Sequence, residues 1–283
     1  MEMNKAQQTR SLSLPSKLNP INQKIETQLK KLRIKEESAT SASERIINGV
    51  SGLSELYECI NKALSLPMTQ QALSLSQHEK HVGVLLKRCS SLLNICGSIM
   101  EIVQLQCAIT KLLKSSLSES KEDTNIETNI GIYTSTRKEV IKKAKNVVMT
   151  LNQLLGEEQE EECNASTLIK SLRCVSIINL SVFESLLNFE SLPVSKPKRT
   201  IVSKLMNKGS ACKFETGNQI NDVDNVLHEL VLGGSAASDD KLCIAITKLK
   251  GLVGVMESLQ TVLNNMSHQL IQTKAFLMNI VSF

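Results

Sequence analysis

His78 and His81, one helical turn apart in the run HEKH, are the first residues whose types and spacing suggest chemistry. Side chains three apart on a helix share a face, so two imidazoles there could ligate one metal, and Glu79 lies between them. The zinc-protease pattern is HExxH, however, and no third ligand stands nearby. With only four histidines in the chain, the pair reads as a polar helix end, and no metal site is assigned. Paired carboxylates occur only in runs such as Glu157 to Glu162, which read as a solvated acidic loop. Neither a Gly-rich phosphate loop, nor a GxSxG elbow, nor a Cys/His pair at a telling spacing is present. No catalytic residue and no cofactor follow from the residue chemistry, so enzyme is the weaker class.

The eight cysteines are Cys59, Cys89, Cys96, Cys107, Cys163, Cys174, Cys212 and Cys243, with no CxxC pair. Most fall inside apolar helical patterns and read as reduced thiols acting as small hydrophobes in a cytosolic-type compartment. Cys89, Cys96 and Cys107 share a helix face. A seven-residue step is about 10 Å along the axis, too far for one disulfide or a shared zinc.

Two motifs point to partners instead. Arg10, Ser11, Ser13 and Pro15 in RSLSLP fit the R-S-x-S-x-P pattern read by 14-3-3 proteins once Ser13 is phosphorylated. A phosphate brings nearly two negative charges to an arginine cluster, and the proline turns the chain out of the groove. The second motif is a basic connector with Lys196, Lys198, Arg199, Lys204, Lys208 and Lys213, and no acid between Glu190 and Glu215. It fits weak contact with anionic lipid headgroups or a nuclear-import patch; a solvated loop is the plain alternative.

The elements that position these residues are helical. The apolar share is 41% and the charged share 22%, while aromatics make up only 2%, with no Trp. Such a core is built from Leu, Ile, Val, Met and Cys, and it lacks the aromatic platforms on which nucleic-acid binders stack bases. The net charge of +5 is mild. No apolar run approaches the roughly 20 residues of a membrane span, and the N-terminus lacks the apolar stretch of a secretory signal. An organellar transit peptide remains an alternative for that Ser-containing, acid-poor leader.

Asn19–Pro20 reads as N-cap and first-turn proline of a helix through Ile21, Ile25, Leu29 and Leu32. Ser38 to Ser43 breaks the pattern, and a second helix beginning near Glu44 carries Leu53, Leu56, Tyr57, Ile60 and Leu64 before Pro67 stops it. Thr69 then reads as the N-cap of a long central helix, Thr69 to Leu117, with a broad apolar stripe from Val82 to Cys107. The polar stretch SESKEDTN is expected as a loop. The next helix carries Val140, Ala144, Val147, Leu151 and Leu154, with a basic outer face of Arg137, Lys138, Lys142, Lys143 and Lys145. A helix from about Ser166 to Phe189 and a short one around Val223, Leu227 and Leu230 follow, the latter stopped by Gly233–Gly234. The last helix, Ser238 to Ile280, keeps a heptad-like alternation broken only at Thr273, and predicts a long antiparallel partner, the central helix.

The segments LSELYECINKALSLPMTQQALS (53–74), RSLSLPSKLNP near the start, LSVFESLLNF (180–189) and VSKLM (202–206) together resemble the plant-specific BYPASS-related family. The resemblance spans nearly the whole chain, with Asn94 in LLNIC standing where Asp is expected. It implies a role in root and shoot development and in restraining a root-derived mobile signal. It brings no catalytic or ligand residues.

The sequence therefore predicts an all-α, elongated antiparallel helical bundle with a long central and a long C-terminal helix. Residues 1–18 read as a disordered tail and 19–283 as a single helical-bundle domain, with the basic connector at 193–215. The expected function is a non-enzymatic interaction or regulatory protein, cytoplasmic, with peripheral-membrane, plastid and nuclear alternatives. Its rivals are an enzyme or modulator in synthesis of the mobile signal, which a buried polar cluster or deep polar pocket would favour, and a peripheral membrane adaptor.

Overall fold

A computed structural model describes residues 19–119, 123–156, 167–191, 218–233 and 239–282. They form eight helices: α1 (Asn19–Ser38), α2 (Ala42–Leu64), α3 (Pro67–Leu73), α4 (Ser76–Glu119), α5 (Asp123–Gly156), α6 (Thr167–Ser191), α7 (Gln219–Gly233) and α8 (Asp239–Val281). No strand occurs among the described residues, and the all-α expectation holds.

The heptad of α8 finds the partner it calls for. Cys89 Sγ of α4 donates to Leu270 O of α8 at 3.4 Å, and Cys96 Sγ donates to Leu263 O at 3.8 Å. Position rises by seven on α4 while it falls by seven on α8, so the two helices run antiparallel in heptad register. A Lys111–Glu257 ion pair at 2.8 Å joins the same two helices further along. Leu252, Met256, Leu259, Leu263, Met266 and Leu270 are all sealed from solvent along this seam. At 44 residues, α4 is about 66 Å long at 1.5 Å per residue.

The beginning of the central helix differs from the sequence reading. α2 ends before Pro67, at Leu64, as expected, but Pro67 does not precede a cap at Thr69; it is itself the first residue of the seven-residue α3, whose N-cap position is Leu66. A proline suits that place because the N–H it lacks has no intrahelical acceptor in a first turn. Thr69 lies inside α3, buried, with its own N–H donated to Leu66 O at 2.9 Å. The chain bends at Ser74 and Leu75, and α4 starts at Ser76, where His78 N–H donates to Leu75 O at 2.8 Å. The α2 start also moves, to Ala42, because Ser41 is a true N-cap. Its Oγ accepts from Glu44 N–H at 3.1 Å, while the Glu44 carboxylate accepts from Thr40 N–H and Oγ at 2.7 Å each. This is a variant of the capping box.

The break between α4 and α5 falls within the polar stretch expected as a loop: α4 runs on to Glu119 and α5 opens at Asp123, with residues 120–122 outside the described residues. Gly52 on α2 faces Leu32 of α1 so closely that a Cβ would overlap the leucine methyl, which sets how near these two helices lie.

The most enclosed element is α6 rather than α4. It packs against α2, α4 and α5, and every residue from Ile178 to Phe183 is buried. A helix apolar on all sides is a core helix. By length and composition alone, α4 and α6 each contain an 18-residue window apolar enough to cross a membrane, although neither window is an unbroken apolar run. Within the bundle 50% of the α4 window and 67% of the α6 window are buried, so core packing accounts for their apolarity.

Candidate functional site

The heptad positions of α4, α5 and α6 are not uniformly apolar, and the exceptions converge. On α4, Gln106 and Thr110 occupy the apolar stripe and are fully buried. On α5, Tyr133 and Arg137 stand in step with the buried Ile130 and Val140. On α6, Glu190 follows Leu186 and Leu187 into the core and is 0% exposed. The short α7 brings Asp224 to the same place.

Within the cluster, Tyr133 Oη donates to Asp224 Oδ1 at 3.0 Å, and Gln106 Nε2 reaches Tyr133 Oη at 3.5 Å and Thr110 Oγ1 at 3.3 Å. Arg137 Nε stands 3.5 Å from Asp224 Oδ2, an ion pair too long and misaligned to satisfy the N–H. Neither carboxyl oxygen of Glu190 has a hydrogen-bond partner, nor has Arg137 Nη1. Next to Glu190, Asn218 Nδ2 donates to Phe189 O at 2.7 Å while its Oδ1 accepts from Ile220 N–H at 2.9 Å. Asn218 thus caps α7 and clasps it to the end of α6.

Electrostatics follows from this burial. Removing a carboxylate from water disfavours its charged form, and an adjacent cation restores it only in part. Desolvation pushes Glu190 from its ordinary 4.5 to about 7, against the pull of Arg137 and with a further push from Asp224. Burial also raises Asp224, although Arg137 and Tyr133 pull it down. Burial, then the neighbouring Asp224 charge, raises the Tyr133 phenol. One guanidinium therefore faces two carboxyl groups, and the cluster is neutral when Glu190 holds its proton.

Chemically, a carboxylic acid titrating near neutrality beside a carboxylate–arginine pair could exchange protons. Gln106, Thr110 and Glu190 are fully enclosed and Arg137 is 5% exposed, whereas the Asp224 side chain at the edge of the cluster is 34% exposed. A cavity of about 230 Å³ lies elsewhere, where Leu73 and Ser76 meet Ile280 and Val281. Its one ionisable lining residue is Glu79.

The residues singled out by sequence divide as follows. Arg10, Ser11, Ser13 and Pro15, and the basic set Lys196, Lys198, Arg199, Lys204 and Lys208, lie outside the described residues. So does the acidic run Glu157 to Glu162. His78 and His81 open α4, but His78 is buried rather than a solvated helix end; burial first and His81 second lower its pKa. His81 Nδ1 lies 3.3 Å from Arg173 Nη2 of α6. Among the described residues no three His, Cys, Asp or Glu side chains converge as a metal site.

Cys89, Cys96 and Cys107 are buried, free thiols at the α4–α8 seam, and desolvation pushes Cys89 and Cys96 up to about 12. They behave as packing residues. The outer face of α5 keeps Lys138, Lys142, Lys143 and Lys145 exposed, but Arg137 is corrected from that face to the core. Arg137 follows Tyr133 by four and precedes Val140 by three, which is the core period itself; its charge obscured its register. Glu190 gave the same signal by closing the run LLNFE.

No curated protein and no solved structure matches the chain. The description "Protein BPS1" belongs to the family that matches residues 49–280, from the middle of α2 to the last turn of α8. That match takes in all four helices of the buried cluster, so the chain belongs to the Protein BPS1 family, a BYPASS-related family of plants.

Proposed function

We propose that this protein is a non-enzymatic interaction or regulatory protein of plant root and shoot development, acting in root-to-shoot signalling. The observation that carries the reading is the burial of Glu190 and Arg137 in the polar cluster found among the described residues, within a chain that matches a BYPASS-related family over 232 residues, 49–280. Glu190 and Arg137 are buried while Asp224 stands 34% exposed at the edge, and what a partner meets is mostly a surface of long helices. Cytoplasm is the proposed compartment. Phosphorylated Ser13, with Arg10 and Pro15, is proposed to recruit a 14-3-3 protein.

The test is rescue of a plant lacking the protein. Charge reversals on successive exposed helix faces, beginning with Lys138, Lys142 and Lys145 of α5, are expected to include at least one that abolishes rescue at unchanged melting temperature. A double Glu190→Gln, Asp224→Asn variant that folds is expected to rescue. Loss of rescue by the folded double variant, with every surface variant active, would transfer the argument to the enzyme reading. For the tail, a peptide of residues 5–20 should bind 14-3-3 only when phosphorylated at Ser13; equal binding of both forms removes that proposal.

A second reading, a peripheral membrane adaptor, is favoured by the α5 stripe. Lys138, Lys142 and Lys145 lie along one exposed face, and Glu139 is engaged with Lys143 at 3.3 Å. Each such lysine near an anionic bilayer contributes about 1 kcal/mol. Salt-sensitive sedimentation with phosphatidylserine vesicles tests it, and protein left in the supernatant at low ionic strength rules it out.

A further inference from the structure

The α6–α7 junction joins two features that a purely structural core does not need. One is a carboxyl group, Glu190, fully buried with both oxygens unbonded, beside a partly unsatisfied Arg137. The other is a short helix clasped at its start, among the described residues, by Asn218, which donates to Phe189 O. α7 has 15 residues, a length that is marginal without tertiary contacts. Ile220, Val223, Leu227 and Leu230 give it a buried apolar stripe, set chiefly against α8. Its polar side brings Asp224 to Tyr133 and Arg137.

From this geometry we infer that α7 is a dockable helix whose seating on α8 and α5 is controlled by ionisation of Glu190: protonated Glu190 holds α7 down, and ionised Glu190 releases it. The groups that act on the Glu190 carboxyl are Arg137 of α5 and Asp224 of α7. Tyr133 of α5 engages Asp224 and not Glu190, and Gln106 and Thr110 of α4 are uncharged. Among the described residues no charged group of α1, α2 or α4 acts on it. With Glu190 protonated, Arg137 and Asp224 compensate each other. With Glu190 ionised, a second carboxylate is buried against one guanidinium, and neither of its oxygens is bonded. A buried charge without its own partner is relieved most readily by admitting water.

Lifting α7 is the least costly way to admit it, because α7 supplies the competing Asp224 and covers the cluster, whereas α4 and α8 are locked by their long seam. Release would present two apolar surfaces at once, the stripe of α7 and the site it leaves on α8. Such a paired exposure is how a docked amphipathic helix masks a partner site. The inference rests on the cluster and not on the developmental role proposed above, and its test reads neither rescue nor partner binding.

Hydrogen exchange by mass spectrometry on the full chain between pH 5 and 8 reads the opening directly, after correction for the intrinsic pH dependence of exchange. Opening should be favoured as pH rises from the carboxyl's ordinary value toward its buried one, by up to about tenfold per pH unit, and level off above about pH 7. Peptides from 219–233 should lose protection in that window while peptides from 89–107 and 252–270 keep theirs. Glu190→Gln should hold the α7 peptides at their acid-side protection throughout. Asp224→Asn, which removes a repelling carboxylate and frees Arg137 for Glu190, should shrink the loss and end its rise at lower pH. If Glu190→Gln fails to fold, that displacement alone decides. Wild-type protection of 219–233 that is flat with pH, or that falls together with the α4–α8 peptides, overturns the inference. So does unchanged pH dependence in Glu190→Gln.

Discussion

Replacing Glu190 by Gln keeps the shape of the side chain and removes its proton equilibrium, so it isolates what the buried carboxyl does to stability. In the folded chain this group titrates at about 7 instead of 4.5. Between those values the native state holds a proton that the unfolded state has lost. Stability changes with pH in proportion to the protons bound by the unfolded state minus those bound by the native state, and that difference is here minus one. Stability therefore falls as pH rises, by about 1.4 kcal/mol per pH unit. The window of about 2.5 pH units gives about 3 kcal/mol in total, fully present below pH 4.5 and gone above pH 7. Asp224, also raised by burial, acts in the same direction but more weakly, because Arg137 and Tyr133 oppose its shift. Urea unfolding of wild type and Glu190→Gln from pH 4.5 to 8 should thus give curves that diverge by up to about 3 kcal/mol, with the variant the more stable at pH 8. If α7 lifts before the bundle unfolds, the ionised carboxyl reaches water early and the divergence saturates at the cost of that opening. A constant difference between the two curves across the range would refute the reasoning, because the carboxyl would then titrate alike in both states.

The α2–α8 contact gives a second expectation: Thr273→Val leaves buried Asn61 Oδ1 without its 2.7 Å donor and should cost about 1–3 kcal/mol in urea unfolding. Combining it with Asn61→Leu should recover part of that loss, and simple additivity would show that the pair is not coupled. Leu263→Ala, at the middle of the α4–α8 seam and 0% exposed, should cost about 2–5 kcal/mol, and full retention of the melting temperature would mean the seam opens in solution. Iodoacetamide at pH 8 should label exposed Cys243 and spare Cys89 and Cys96 until the protein is unfolded, since burial holds those two thiols at about 12. Rapid modification of either in the native state would contradict the packing.

Most of the fold was legible because helices bury one face and the period shows it. Leu249, Leu263, Leu270 and Leu277 of α8 announce a long partner by spacing alone, and the thiol contacts at Leu263 and Leu270 show that partner to be α4. Illegible were the features that need a third dimension. Thr69 and Pro67 satisfy two capping grammars equally well, and only the bend at Ser74 and Leu75 decides between them. Thr273, out of type in an apolar heptad, is explained by Asn61 more than two hundred positions away. Arg137 was placed outside because charge outweighs period in a reading of one helix at a time. Its register pointed inward, and the residues that receive it, Glu190 and Asp224, lie on two other helices.

That misplacement bears on function. A buried polar cluster was the feature that would favour an enzyme, and this chain has one. What separates the two readings is access. A catalytic carboxyl whose pKa is tuned by burial still needs a path for substrate, usually a concave pocket with a few converging polar groups. Here the tuned group is 0% exposed, and the 230 Å³ cavity lies where α3, the start of α4 and the end of α8 meet, with none of the cluster residues in its lining. Buried charge without access costs stability, and a chain gains little by retaining it unless the cost is conditional. Ionisation of Glu190 makes it conditional, and the helix above it is the element short enough to respond. The same two carboxyl groups and one guanidinium that would serve as acid, base and anchor in an open site serve, with Glu190 and Arg137 buried, to set how firmly α7 is seated.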